Sequence, residues 1–269
     1  MLETINQTVS YINQKLKNRP EFGIILGTGL AGLAREIKVE IILNYEDIPN
    51  FPVSTVEGHH GKLIFGTLGG KQIMAMQGRF HFYEGYTMQQ VTFPVRVMKL
   101  MGIEKLFVSN ASGGMNPAFE VGDLMIINDH INLLPNPLIG MHFPELGPRF
   151  PDMSCPYNLN FIELAEKIAS KEGIKVQKGC YVGVTGPTLE TPKEYEYFRI
   201  IGGDAVGMST VPEIIVARQM GMQCFAISII TDLGVPGKIK EVSLEDVLKA
   251  AAKAEPKMTL IMKSLIEEL

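Results

Sequence analysis

Val206-Gly207-Met208-Ser209-Thr210-Val211-Pro212-Glu213 is a small, polar, methionine-containing turn set between apolar runs. Such a turn fills a core badly, but it brings backbone up against a small polar ligand well. It follows Gly186-Pro187-Thr188-Leu189-Glu190-Thr191 by about one helix and a turn. Around it the pattern alternates. Residues 181–185 read as a strand, 193–201 as a helix stopped by Gly202-Gly203, and 212–220 as a helix with proline in its first turn. Residues 223–230 read as a buried strand, and 243–269 as a closing helix. That last helix opens on Ser243-Leu244-Glu245-Asp246, a capping box with Asp in the Glu/Gln position.

The same alternation runs back to the amino terminus. Residues 4–17 carry Ile5, Val9, Ile12 and Leu16 on one helical face. Phe22–Leu26 is a short strand delivering the glycine turn Gly27-Thr28-Gly29-Leu30. Gly69-Gly70 between 62–68 and 71–77 is a hairpin signal. Residues 87–101 have helical periodicity, and Pro94 predicts a kink or a late start there. Residues 105–109 and 124–128 are β-rich, and 160–171 is a helix stopped by Gly173. Residues 133–156 hold six prolines and little periodicity. A loop of that length is expected to be functional or to lie at an interface. No repeat or linker interrupts the pattern, so it predicts a single α/β domain over 1–269 around a central mixed sheet flanked by helices.

Composition narrows the function. A net charge of −4 gives no electrostatic case for nucleic acid or an anionic membrane. No apolar run reaches membrane-spanning length, and no secretory signal opens the chain. Cys155, Cys180 and Cys224 lack paired spacing, which points to a reducing, cytoplasmic setting. In an acidic chain, any bound anion needs a local cluster of donors.

Arg79 and His81 are the strongest such donors. At positions i and i+2 just after a strand they point to one side, and a guanidinium offers phosphate bidentate bonds. The competing reading is an arginine covering surface with its stem, beside a satisfied histidine. The glycine-bounded, aromatic-rich turn Gly78-Arg79-Phe80-His81-Phe82-Tyr83-Glu84-Gly85-Tyr86 makes that less economical. Gly27-Thr28-Gly29 is neither a dinucleotide fingerprint nor a Walker loop, which leaves backbone amides and the Thr28 hydroxyl for an oxyanion. His59 is a further candidate, and His60 reads as surface. The five histidines show no chelating spacing, so no metal site is expected. Asn110-Ala111, before Gly113-Gly114, lets a flat base or a phosphate approach the backbone, although a plain turn explains it as well. Glu190 is either a helix-terminal carboxylate or an acceptor for a ligand's N–H groups. Asp232 ends a strand, where open α/β sheets place ligands.

Together with Ser109-Asn110-Ala111-Ser112-Gly113-Gly114, these motifs resemble the trimeric purine nucleoside phosphorylases, from about Phe22 to the last helix. The resemblance implies a nucleoside phosphorylase-like fold with a partly barrel-like sheet. It implies reversible phosphorolysis of purine nucleosides, inosine and guanosine favoured, with inorganic phosphate as a substrate and no cofactor. It assigns phosphate to Thr28, His59, Arg79, His81, Ala111 and Ser209. It assigns ribose to Tyr83 and Met208, with Phe150 reaching in from a neighbouring subunit of a homotrimer. It assigns the base to Asn110, Ala111, Tyr181, Leu189, Glu190 and Asp232, and gives Glu190, Asp232 and His81 the catalytic roles.

Three positions depart from that family's pattern. Asp232 stands where the 6-oxopurine enzymes usually carry Asn, and Asp is also the choice of methylthioadenosine phosphorylases. Leu244 falls about where many members place a histidine near the ribose 5′-hydroxyl. Leu189 replaces a usual Phe. Methylthioadenosine phosphorolysis is therefore the alternative, and a non-catalytic nucleoside- or phosphate-binding protein is a reading of another class. Glu190 and the match over 206–212 favour the purine nucleoside enzyme.

Overall fold

The computed structural model describes residues 1–27, 30–53 and 61–269. Thr28 and His59, two of the expected phosphate ligands, lie outside the described residues. Among the described residues, nine strands form one sheet: β1 (Phe22–Leu26), β2 (Lys38–Asn44), β3 (Lys62–Leu68), β4 (Lys71–Gln77), β5 (Lys105–Gly114), β6 (Leu124–Asn132), β7 (Val176–Gly183), β8 (Ala205–Gly207) and β9 (Gln223–Leu233). Its order is β2-β3-β4-β1-β5-β8-β7-β6-β9, and β9 also pairs with β5. That extra pairing closes β5, β8, β7, β6 and β9 into a ring, with β2-β3-β4-β1 as an open wing. The sheet is mixed: β1 runs parallel to β4 and β5, and β5 parallel to β9, whereas β8 and β6 meet β5 and β9 antiparallel. This is the partly barrel-like α/β fold that the resemblance implied.

Among the described residues, eight helices surround the sheet: α1 (Leu2–Asn13), α2 (Gly32–Arg35), α3 (Met88–Val91), α4 (Phe93–Leu100), α5 (Leu159–Lys171), α6 (Pro192–Ile200), α7 (Val211–Gln219) and α8 (Leu244–Glu268). Of these, α5, α7 and α8 pack directly on ring strands. The interior strands β1 and β9 are buried almost end to end, as expected for strands covered on both faces. Pro94 resolves the expected 87–101 helix into α3 and α4, with proline at the start of the second. Ser243 accepts from the Asp246 amide and Asp246 reaches back, so Asp completes the capping box at the head of α8.

β4 runs parallel to β1, β1 to β5, and β5 to β9, so their carboxyl ends emerge on the same side. Arg79 and His81 follow β4, Gly27 follows β1, Asn110 to Gly114 finish β5, and Thr231-Asp232 finish β9. The topology thus gathers residues that are far apart in sequence.

Candidate active site

A cavity of about 410 Å³ opens at these strand ends. Arg79, His81 and Tyr83 line it from the turn after β4, and Asn110 and Ala111 from β5. Leu189 and Glu190 enter from the loop before α6, Met208 and Ser209 from the turn before α7, and Asp232 from β9. Ser243, Leu244 and Val247 reach it from the head of α8. Segments that the sequence offered separately therefore share one space.

Arg79 is almost completely buried, at 1% exposure, on a protein with net negative charge. Its Nη1 donates to Ser209 Oγ at 2.6 Å and to Thr210 Oγ1 at 3.4 Å, and its Nε faces Glu213 Oε1 at 3.4 Å. Burial of a charge demands such pairing. The pairing fixes the guanidinium to the turn before α7.

Thr210 carries φ 69°, a left-handed value that is costly for a β-branched residue. Asn110 Nδ2 donates to its hydroxyl at 2.8 Å, and Ser228 Oγ donates to Asn110 Oδ1 at 2.6 Å. Asn110 thus lines the cavity while its amide nitrogen braces Thr210 and its amide oxygen is held by Ser228 of β9. The sequence pattern did not single out Thr210 or Ser228 for this work.

His81 starts a 3-10 turn. Its Nδ1 lies 3.2 Å from Glu84 Oε1, its backbone N–H donates to the same oxygen at 2.7 Å, and its ring stacks on Tyr83 at 4.7 Å. Burial holds the imidazole pKa below its ordinary value, against the opposing pull of the Glu84 hydrogen bond. Burial also pushes the Tyr83 phenol up to about 12, so that hydroxyl acts as a neutral donor.

Glu190 and Asp232 are both half-buried, and desolvation raises both carboxyl pKa values; the proximity of Asp232 adds to the rise at Glu190. The Tyr195 hydroxyl donates to Asp232 Oδ2 at 3.3 Å. Tyr195 has no motif to announce it; helix α6 has to turn it back over Gly234 before it meets Asp232.

One expected base contact needs correction. Tyr181 is fully buried and does not line the cavity: it stands behind Gly207, where an added Cβ would fall 2.2 Å from its hydroxyl. It shapes the wall rather than touching a ligand. Gly207→Ala is accordingly expected to push into a side chain with nowhere to move, costing about 1–3 kcal/mol of stability by overpacking. We expect a lower Tm together with a loss of roughly tenfold or more in kcat/KM, since the displaced wall carries Met208 and Ser209. An unchanged Tm and rate in that variant would show the wall to be compliant. Phe150, at 87% exposure, stands outside this chain's cavity beside His130 and Met153.

No three His, Cys, Asp or Glu side chains gather as a metal-holding group among the described residues. Anion donors, two carboxyls and a cavity at the strand ends fit a small-molecule enzyme site of the phosphorylase kind. The chain belongs to the phosphorylase superfamily, whose family model matches residues 21–267. It is 50% identical over 269 residues to purine nucleoside phosphorylase 1 of Bacillus subtilis, covering 100% of this chain and 99% of that one. It is 43% identical to the purine nucleoside phosphorylase of Rattus norvegicus, over 99% of this chain and 95% of that one. A crystal structure of Schistosoma mansoni purine nucleoside phosphorylase in complex with adenosine superimposes with a TM-score of 0.94 at 41% identity, covering 99% and 97% of the two chains. A second from the same organism, isoform 2 with cytosine and ribose-1-phosphate, gives 0.95 at 40% identity, covering 99% and 96%.

Proposed function

We propose that this chain is a purine nucleoside phosphorylase, a pentosyltransferase that converts a purine nucleoside and inorganic phosphate reversibly into free base and pentose 1-phosphate. One observation carries the reading: a single cavity combines the Arg79–Ser209 anion pair with the Glu190–Asp232 carboxyl pair, and Tyr83 and Met208 line the same space. The relatives named above support it, as do the adenosine and ribose-1-phosphate bound in two of them. They do not favour the methylthioadenosine alternative.

In this reading Arg79, His81, Ser209 and the Ala111 amide hold phosphate, joined by Thr28 and His59. A phosphate oxygen attacks the anomeric carbon as the bond to N9 breaks, and the bond's electron pair leaves with the purine. Phosphate is the nucleophile and its charge stabilises the cationic sugar, so no side chain need attack. The protein positions both reactants and offers polar groups where charge builds on the leaving base. Tyr83 and Met208 face the sugar, while Glu190, Asp232, Leu189, Asn110 and Ala111 surround the base. The reading needs no cofactor beyond phosphate as co-substrate. It places the enzyme in the cytoplasm as a homotrimer in which Phe150 completes the neighbour's ribose site. Among the described residues no helix is long and apolar enough to cross a membrane.

The decisive assay follows inosine with and without inorganic phosphate. Hypoxanthine should appear only with phosphate, matched by an equal amount of ribose 1-phosphate. Release at the same rate without phosphate would indicate a hydrolase, and no release would remove the proposal.

A further inference from the structure

A second cavity, of about 240 Å³, lies between α4, the end of α7 and the loop 137–149, and it shares no lining residue with the cavity at the strand ends. Arg96 of α4 lines it and is only 3% exposed. A guanidinium carries several N–H donors and no acceptor. Among the described residues this one meets a single acceptor, Gln219 Oε1 at 3.4 Å from Nη1, and its Nε meets none. The carbonyls of the surrounding loop are already taken. Arg149 Nη1 donates to Leu138 O and Gly140 O, each at 3.0 Å, and Gln89 donates to Ile139 O at 3.1 Å. His142 donates to Gly147 O at 2.8 Å, and Gln219 to Pro148 O at 3.1 Å. No aspartate or glutamate is among the residues that line the cavity. Burial accordingly pulls the Arg96 pKa down to about 10, with no carboxylate opposing it. A buried charge without a counter-charge is costly. Arg79 shows the usual remedy in this same chain, where Glu213 pairs with it. The loop has little freedom to supply one: Gly147, at φ 116°, lies so close to the Gln219 carbonyl that an added Cβ would fall 2.0 Å from its oxygen.

We propose that this cavity is a second ligand site, which takes a small monocarboxylate with an apolar body and seats its carboxylate on Arg96. A carboxylate offers the two coplanar oxygens that a guanidinium binds bidentately. Leu138, Phe143 and Leu146 line the same space and cover the apolar remainder of the ligand. Arg149, an exposed lining residue, adds a second positive charge at the rim. A water molecule occupies about 30 Å³, so the cavity suits an acid the size of benzoate. The inference goes beyond the function proposed above and uses none of the residues assigned to it.

The test is calorimetric titration of the full-length protein with benzoate in the presence of saturating inorganic phosphate, which keeps benzoate off the anion donors at the strand ends. We expect saturable binding to the parent. Arg96→Met should weaken it by at least about tenfold, the loss typical of a charge-assisted hydrogen bond. The same variant should fold with a ligand-free Tm at least equal to the parent's, because it removes a buried charge that has no counter-charge. Arg96→Lys keeps the charge but not the planar fork, and it too should bind benzoate several-fold more weakly. No saturable binding to the parent, or parent-like affinity in either variant, would overturn the proposal. A clearly lower ligand-free Tm in Arg96→Met, or a smaller oligomer on sedimentation, would overturn it as well. In that case the charge is already satisfied inside the fold or by a carboxylate of a neighbouring copy. Because Arg96 lies outside the strand-end cavity, each of these outcomes is separate from the phosphorylase reading.

Discussion

Arg79→Ala is expected to cost at least about 10²-fold in kcat/KM for phosphate, the range seen when one preorganised donor to a developing or bound anion is removed. The affinity for nucleoside, measured without phosphate, should change by less than about threefold, because the arginine's anchors are Ser209, Thr210 and Glu213 rather than the base-side carboxyls. A complication follows from the burial itself. Glu213 is 3% exposed, and losing its partner leaves a carboxylate buried alone, a change that costs about 3–5 kcal/mol. The single variant can therefore fail by unfolding. Pairing Arg79→Met with Glu213→Gln removes both charges together and should restore much of the lost stability. If that folded double variant saturated with phosphate as the parent does, Arg79 would be a structural ion-pair partner and nothing more.

The phosphate-side cluster was partly legible in sequence because Arg79 and His81 follow a strand whose limits were plain. Gly69 and Gly70 take φ of 55° and 77°, and the hairpin they make fixes the register that delivers β4 to residue 77. β1 was equally clear, as five consecutive buried residues between turn signals. Strand ends were not. β5, β6 and β9 run past the expected limits through Asn110–Gly114, Asp129–Asn132 and Thr231–Leu233, polar or glycine-rich residues of weak strand propensity. Pairing with neighbours holds them, as with Gly113 opposite Asp232. The overruns of β5 and β9 build part of the cavity wall. β7 likewise starts five residues before the expected strand, at Val176.

β2 escaped notice because it is an edge strand whose Val39 and Ile42 face solvent, so no alternation marks it. β8 has only three residues and exists because β5 and β7 flank it. At the amino terminus the apolar face extends to Leu16, yet α1 stops at Asn13 and the rest is turn. The site's omissions share one cause. Tyr195, Thr210 and Ser228 act through partners 37, 100 and 118 residues away, a relation that no local pattern carries. Tyr181 illustrates the converse. Its position beside the motif suggested contact with the base, but alternation along β7 turns its side chain behind Gly207.

Mixing two inactive variants should restore activity if the enzyme is a closed trimer with shared sites. Phe150 is an aromatic side chain at 87% exposure on the proline-rich loop, flanked in exposure by Ile139 at 69% and Met141 at 80%. Large apolar groups left in water on one loop mark a contact surface. In a ring of head-to-tail interfaces each site draws Arg79 from one subunit and Phe150 from the next. A Phe150→Ala trimer then lacks the ribose cover in every site, and an Arg79→Ala trimer lacks the anion donor in every site. Unfolding and refolding the two together at equal amounts shuffles the subunits. About a quarter of the sites should then pair an intact Arg79 with a neighbour's intact Phe150, and the specific activity should rise to about a quarter of the parent value. Subunits that carry the stabilising Glu213→Gln change beside the Arg79 substitution serve equally well, because the restored site takes only Phe150 from them. If the mixture shows only the average of the two separate activities while sedimentation reports mixed oligomers, Phe150 does not serve a neighbouring site. If the active species sediments as a monomer, the shared site is excluded altogether.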